Sequence, residues 1–216
     1  MAIEAEQLST YFITLLRHGE SEGNAQRRVQ GQADFSLTDK GRQQAQALTT
    51  RWLAEKVTFD QVISSPLARS RETAEIISSA LNLPVELNSL WMERDYGNLS
   101  GLYWDDAVQT EQVPLYSGLY QPVGETGESL WDLYLRGGRA LNSLLEYPPG
   151  RYLVVSHGGI LNMVIYAILG IQPQANFRGA RFLFRNTAFA SFIYSPGAHT
   201  WRMVGLNDRS HWPGEA

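Results

Sequence analysis

Tyr152-Leu153-Val154-Val155-Ser156-His157-Gly158-Gly159 is the stretch on which the fold turns. Four apolar residues in an unbroken row, two of them β-branched, suit a strand buried on both faces, as strands of parallel sheets are. Two glycines stop the run, and the apolar segment Ile160 to Leu169 then reads as a buried helix. The N-terminus repeats this arrangement: Tyr11 to Leu16 reads as a buried strand that delivers Arg17 and His18 to its carboxyl end, with Gly19 following.

Working outward, Ala45, Leu48, Trp52 and Leu53 recur at helical spacing, with Thr38 as N-cap of a helix to about Glu55. Gln61 to Ser64 is a short strand, and Pro66 fits the first turn of a helix from Leu67 to Leu81. Val85 to Leu87 is a third strand candidate, Glu128 to about Tyr147 a helix interrupted by Gly137-Gly138, and Ala188 to Tyr194 with Thr200 to Leu206 a terminal hairpin. From Asp95 to about Gly127 the chain is rich in Gly, Pro, Tyr and Trp without sustained period, as loops and short helices over a pocket would be. Strands alternating with helices predict an α/β fold. The expected form is a three-layer α/β/α sandwich with a mostly parallel central sheet, one domain over residues 1–216, with a small inserted cap around 95–127.

Composition narrows the function classes. A hydrophobic fraction of 44% with 19% charged residues is that of an ordinary globular protein. The absence of cysteine excludes disulfides, thiolate metal sites and a cysteine nucleophile. Met1 to Glu6 carries acids where a secretory signal carries bases, so a cytoplasmic protein is expected. The longest apolar stretch, Leu161 to Ile171, is short of the ~20 residues a membrane span needs. A net charge of -4 argues against a nucleic-acid partner. Only Lys40 and Lys56 are lysines, and the arginine fork that makes up the remaining basic residues suits phosphate.

Ligands of open α/β sheets bind outside the carboxyl ends of the strands, and two histidines fall at such ends. His18 and His157 are therefore expected to face one cleft, unless each is an ordinary structural histidine. The helix after His157 points its free N–H groups toward that cleft, which favours an anion. Arg69 sits where the second strand gives way to its helix and is read as a phosphate clamp, and Glu93 follows the third strand.

Together these segments resemble the histidine phosphatase superfamily, also called phosphoglycerate mutase-like. The resemblance is carried by Arg17-His18-Gly19-Glu20-Ser21 with Asn24, Gln30-Gly31, Leu37-Thr38 with Gly41, Ser65-Pro66 with Arg69, Glu93 with Gly97, Gly127-Glu128-Ser129 and Ser156-His157-Gly158-Gly159, in the family's order. It implies that His18 is a covalent nucleophile, that Arg17, Arg69 and His157, with Asn24, hold the phosphoryl oxygens, and that Glu93 is the general acid. Gln30, Gly31, Gly158 and Arg28 are the further substrate-binding candidates. It implies no cofactor and no metal, and a small phosphate ester as partner. His199 and His211 match no motif and are assigned structural or surface roles.

Within the family a mutase must hold a second anionic group, whereas a phosphatase needs only the ester and water. No Lys or Arg occurs between Asp95 and Leu135, the segment that supplies basic residues in the cofactor-dependent mutases. Tyr103, Trp104, Tyr116, Tyr120 and Trp131 stand there instead and suit an apolar leaving group. Ser21-Glu22-Gly23-Asn24 also lacks the tryptophan that mutases place before the asparagine. The expectation is a phosphatase, with a cofactor-dependent phosphoglycerate mutase as alternative, since Arg27 and Arg28 could bind a distal phosphate, and a non-catalytic phospho-ligand module as a third reading.

Overall fold

The run 152–155 lies inside a six-stranded sheet in the computed structural model, which describes residues 9–109, 118–175 and 178–212. The elements in order are β1 (Tyr11–Arg17), α1 (Glu22–Ala25), α2 (Asp39–Ala54), β2 (Gln61–Ser64), α3 (Ala68–Leu81), β3 (Val85–Leu87), α4 (Trp104–Gln109), α5 (Leu130–Leu145), β4 (Arg151–Ser156), α6 (Gly158–Leu169), β5 (Phe189–Ser195) and β6 (Thr200–Asp208). The sheet order is β3-β2-β4-β1-β5-β6. β4 pairs in parallel with β1 on one side and β2 on the other, and the terminal hairpin adds β5 and β6 antiparallel.

Both faces of the sheet are covered, and side-chain alternation shares each strand between them. Ile13 and Leu15 of β1 and Tyr152 and Val154 of β4 pack with Leu161, Val164 and Ile165 of α6 and Ala140 and Leu144 of α5. Leu16, Leu153 and Val155 turn the other way, onto Leu48 and Trp52 of α2 and Ala74 and Ile77 of α3. This is the expected three-layer α/β architecture with a mostly parallel sheet. No helix among the described residues is long and apolar enough to cross a membrane.

Local chemistry sets the boundaries. Thr38 Oγ1 accepts the Gly41 N–H at 3.0 Å and starts α2. α5 begins later than its period suggests because Ser129 is its N-cap, accepting from Asp132 N at 3.0 Å. Pro66 precedes the N-cap Leu67 of α3 rather than entering the first turn. α5 runs through Gly137-Gly138, and the first glycine has a packing reason: a Cβ there would lie 2.9 Å from the Met163 Cβ of α6. Nothing lies within 4 Å of a Cβ at Gly138.

Candidate active site

Strand register brings the two histidines together. Arg17 pairs with Ser156, so β1 and β4 end level and His18 and His157 leave the sheet side by side. Their ring centroids are 5.0 Å apart. The His18 N–H donates to Ser156 O at 3.0 Å, and Thr187 N donates to the carbonyls of Arg17 and His18. Gly19 must be glycine, since a Cβ there would meet the Gly41 carbonyl oxygen at 2.5 Å; its N–H donates to Thr73 Oγ1.

The buried His18 ring has a defined tautomer. Nδ1 lies 2.6 Å from the Gly19 carbonyl oxygen, which can only accept, so the ring proton is on Nδ1 and Nε2 carries the free lone pair. Burial, then the charges of Arg69 and Arg17, push the His18 pKa well below its ordinary value. His157, fully buried, shifts the same way, through burial first and then Arg69, His18 and Arg17. Both rings are therefore neutral near pH 7, and His18 presents a nucleophilic nitrogen.

Around them stand buried side-chain nitrogens with no hydrogen-bond partner among the described residues: the donors Arg17 Nε and Arg69 Nε, and His157 Nδ1. The rest of each side chain is fixed by the fold. Arg17 Nη1 donates to Phe184 O at 2.7 Å, Arg69 donates to Gly31 O at 2.7 Å and Ala33 O at 3.0 Å, and His157 Nε2 shares a hydrogen bond with Ser65 Oγ at 2.8 Å. Burial lowers the Arg69 pKa to about 10, which leaves it charged at neutral pH. Buried polar groups without partners cost stability, so three on mutually facing residues mark a place built for an oxyanion.

Glu93 departs from expectation in its placement. Its carboxylate accepts the N–H groups of Gly159 at 3.0 Å, Ile160 at 3.1 Å and Arg94 at 2.8 Å, so two of the α6 N-terminal donors expected to face a ligand are taken by the chain's own acid. A Cβ at Gly159 would lie 2.3 Å from Glu93 Oε1, and the glycine is what admits the carboxylate. Its field still reaches the arginines, since it acts on the pKa of both Arg17 and Arg69.

The other candidates take supporting positions. Asn24 Oδ1 closes the capping box of α1 with Ser21, and Ser21 Oγ donates to Gln30 Oε1 at 2.6 Å. Gly31, at φ +50°, offers its carbonyl to Arg69, and a Cβ on Gly158 would stand 4.0 Å from Arg17 Nε. Arg28 is not brought to the histidines. Its guanidinium lies 4.0 Å from the Tyr103 ring centroid and donates to Tyr103 Oη, Gly101 O and Gln26 Oε1, which ties the loop after α1 to the segment before α4. Among the aromatics between Asp95 and Leu135, Trp104 packs edge-on against Tyr96 and Tyr120 against Trp131, whereas Tyr116 lies outside the described residues.

Several residues that shape the site carry no local signal. Asn186 Nδ2 donates to the His18 carbonyl and to Asn24 Oδ1, both at 3.1 Å, and Asp34 Oδ1 accepts from Ala68 N at the start of α3. Arg136 of α5 holds the loop that carries Glu93: it donates to the carbonyls of Leu90, Met92 and Glu93 and makes a two-pronged ion pair with Glu128 at 2.7 Å. That pair is 11% and 15% exposed. Arg136→Ala would leave a nearly buried carboxylate without its ion pair and the Leu90 and Met92 carbonyls without a donor, and is expected to lower unfolding free energy by about 3–5 kcal/mol, read from the urea midpoint. His211 Nε2 meets Thr187 Oγ1 at 3.0 Å, which gives it a structural role; burial first, then Arg51, lowers its pKa to about 4.

A family model of the histidine phosphatase superfamily, branch 1, matches residues 13–209. The chain belongs to the histidine phosphatase superfamily. It is 35% identical over 206 residues to the probable phosphoglycerate mutase GpmB of Escherichia coli, covering 92% of this chain and 94% of that protein. Among solved structures it is similar to the alpha-ribazole phosphatase of Shigella flexneri, with TM-score 0.79, 28% identity and coverage of 92% of this chain and 96% of that one. It is also similar to the phosphoserine phosphatase of Entamoeba histolytica in complex with 3-phosphoglyceric acid, with TM-score 0.76, 25% identity and coverage of 93% and 98%. Members of this superfamily are enzymes, phosphatases or mutases.

Proposed function

We propose that this superfamily member is a metal-independent phosphomonoester hydrolase acting on a small organic phosphate through a phosphohistidine on His18. His18 Nε2 attacks phosphorus, an N–P bond forms, and the P–O bond to the leaving alcohol breaks. Arg17, Arg69 and His157 supply donors to the three peripheral oxygens, where charge is stabilised through a loose transition state. Glu93 gives its proton to the departing oxygen, then takes one from the water that attacks phosphohistidine, and the N–P bond breaks to release phosphate and neutral His18.

Hydrolysis rather than mutase chemistry is supported by the charge of the cap. Between Asp95 and Leu135 acids such as Asp105, Asp106 and Glu125 stand without any Lys or Arg, so a bisphosphate cofactor would meet repulsion there. Of the two cations that could have compensated, Arg28 is engaged by Tyr103 and Gly101, and Arg27 pairs with the Asp105 carboxylate at 3.5 Å. The test is 3-phosphoglycerate with catalytic 2,3-bisphosphoglycerate. Phosphate release is expected to exceed isomerisation, and the reverse would establish a mutase.

The depressed His18 pKa carries a pH prediction. Its folded value lies below the ordinary 6.5, so the nucleophile stays neutral as pH falls past 6.5 and protonates only below that. The acid limb of kcat/KM for p-nitrophenyl phosphate that belongs to the free enzyme's nucleophile is therefore expected below pH 6.5. A limb at or above pH 6.5 that moves when Arg69→Gln is introduced would contradict this placement.

A further inference from the structure

A neutral imidazole carries one ring proton, and the partners of its two nitrogens decide where that proton sits. His18 and His157 are both neutral near pH 7, so each has a single N–H and a single lone pair to offer. For His18 the Gly19 carbonyl holds the proton on Nδ1 and leaves Nε2 as an open lone pair. His157 has no such carbonyl. Its Nε2 lies 2.8 Å from Ser65 Oγ, and its Nδ1 has no partner among the described residues. A hydroxyl can donate or accept, so that contact by itself is compatible with either tautomer.

The protons around Ser65 decide between them. Ser65 and His157 are both fully buried, so bulk solvent supplies neither with a partner. Ser65 Oγ accepts the Leu67 N–H at 3.3 Å, and its one other hydrogen-bond contact among the described residues is His157 Nε2. The hydroxyl proton therefore has a single acceptor within reach, that nitrogen. Were the ring proton on Nε2, the Ser65 O–H and the Nδ1 lone pair would both be buried without a partner. With the hydroxyl donating to Nε2, the Nδ1–H alone is left over, and burial selects the arrangement with fewer orphaned groups. That remaining N–H joins Arg17 Nε and Arg69 Nε as an open buried donor. The fold holds the hydroxyl in register for this: Ser64 of β2 pairs with Val155 of β4, and Ser65 N donates to Val155 O at 3.1 Å, two residues before His157.

We propose that Ser65 is a positioning residue that holds His157 in the Nδ1–H tautomer, and that this N–H is the ring's donor to a peripheral oxygen of the transferring phosphoryl group. The inference rests on the phosphomonoesterase reading and deepens it, adding a residue that acts through His157 rather than on the substrate. The two neighbouring rings then share one tautomer and put it to opposite uses: His18 exposes the lone pair that attacks, and His157 exposes the N–H that stabilises. The other tautomer of His157 would turn a lone pair toward oxygens whose negative charge the site has to stabilise.

The ring proton can be observed directly. In protein isotope-labelled at the histidine ring nitrogens and held at neutral pH, long-range proton–nitrogen correlation spectra distinguish Nδ1–H from Nε2–H, and a His157→Asn variant identifies the His157 signals. Wild type is expected to carry the His157 proton on Nδ1, and Ser65→Ala to shift it wholly or partly to Nε2. The same variant should lose about 10- to 100-fold on p-nitrophenyl phosphate, chiefly in kcat, somewhat less than outright deletion of an oxyanion donor because part of the population keeps the productive tautomer. Its inhibition by orthovanadate should weaken in parallel. A wild-type proton on Nε2 overturns the inference without recourse to any variant. An unmoved Nδ1 proton in Ser65→Ala, whatever its rate, also overturns it, since a loss of rate would then come from packing. A displaced proton with unchanged kcat overturns the donor role. Each of these leaves the phosphatase standing, whereas no turnover of p-nitrophenyl phosphate by wild type removes the phosphatase reading and this role together.

Discussion

Replacing His18 with alanine is expected to bring turnover of p-nitrophenyl phosphate to the buffer rate, a loss on the order of 10⁴-fold or more for a nucleophile acting within one catalytic unit. The imidazole is the group whose Nε2 lone pair is free, because Nδ1 is committed to the Gly19 carbonyl. His157, 5.0 Å away by ring centroid, is no substitute: its Nε2 is engaged with Ser65. The same variant is expected to lose about 1–3 kcal/mol of stability, since it removes a buried ring together with its Nδ1 hydrogen bond to the Gly19 carbonyl. The check is a paired measurement: rate by absorbance, thermal midpoint by circular dichroism. Retained activity in a folded His18→Ala protein would refute the phosphohistidine route. Labelled phosphate bound covalently to wild type and absent from the variant would support it directly.

Glu93→Gln is the second large effect, and it separates the two steps. The amide keeps the shape of the carboxylate but gives no proton to a leaving alkoxide and takes none from water, so kcat on alkyl phosphates is expected to fall about 10²- to 10⁴-fold. Nitrophenolate leaves readily without a proton. With that substrate the first step should survive while the phosphoenzyme accumulates, giving a burst of nitrophenol close to one equivalent and then a slow phase. A structural cost accompanies this. Glu93 accepts three backbone N–H groups, two of them at the start of α6, and a glutamine must turn its own NH₂ toward at least one. A loss of about 1 kcal/mol in stability is expected, of the size of a lost N-cap. Unchanged kcat on glycerol 3-phosphate or another alkyl ester would exclude Glu93 as the acid.

Tyr103, Trp104, Tyr120 and Trp131, which suggest a wall for an apolar leaving group in the sequence, are held by one another and by neighbours in the fold: Arg28 on Tyr103, Tyr96 on Trp104, and Tyr120 with Trp131. Arg28 shows the same from the other side. In sequence it is a loop cation near a phosphate motif, and in the fold each of its three nitrogens already donates one hydrogen bond, to Gln26, Gly101 and Tyr103. What a side chain can offer a ligand depends on what it has already been given, and that is not written beside it in the chain.

The strands, their order along the chain, the helices between them and the strand-end location of His18 and His157 were determined by the sequence alone. The physical reason is that periods of 2 and 3.6 residues, caps and stops act between neighbours a few positions apart. Tertiary structure alone decided the level ending of β1 and β4, the commitment of Glu93 to the α6 N-terminus, the Arg136 clamp behind it, and the ties of Asn162 to Phe182, Arg17 to Phe184 and Asn186 to His18. Those contacts join residues as far apart in the chain as Asn186 and His18, between which no periodicity extends. Only the closing of the sheet and its two helical layers brings such donors and acceptors within 3 Å or so, where the cost of leaving a buried polar group unpaired selects the partners.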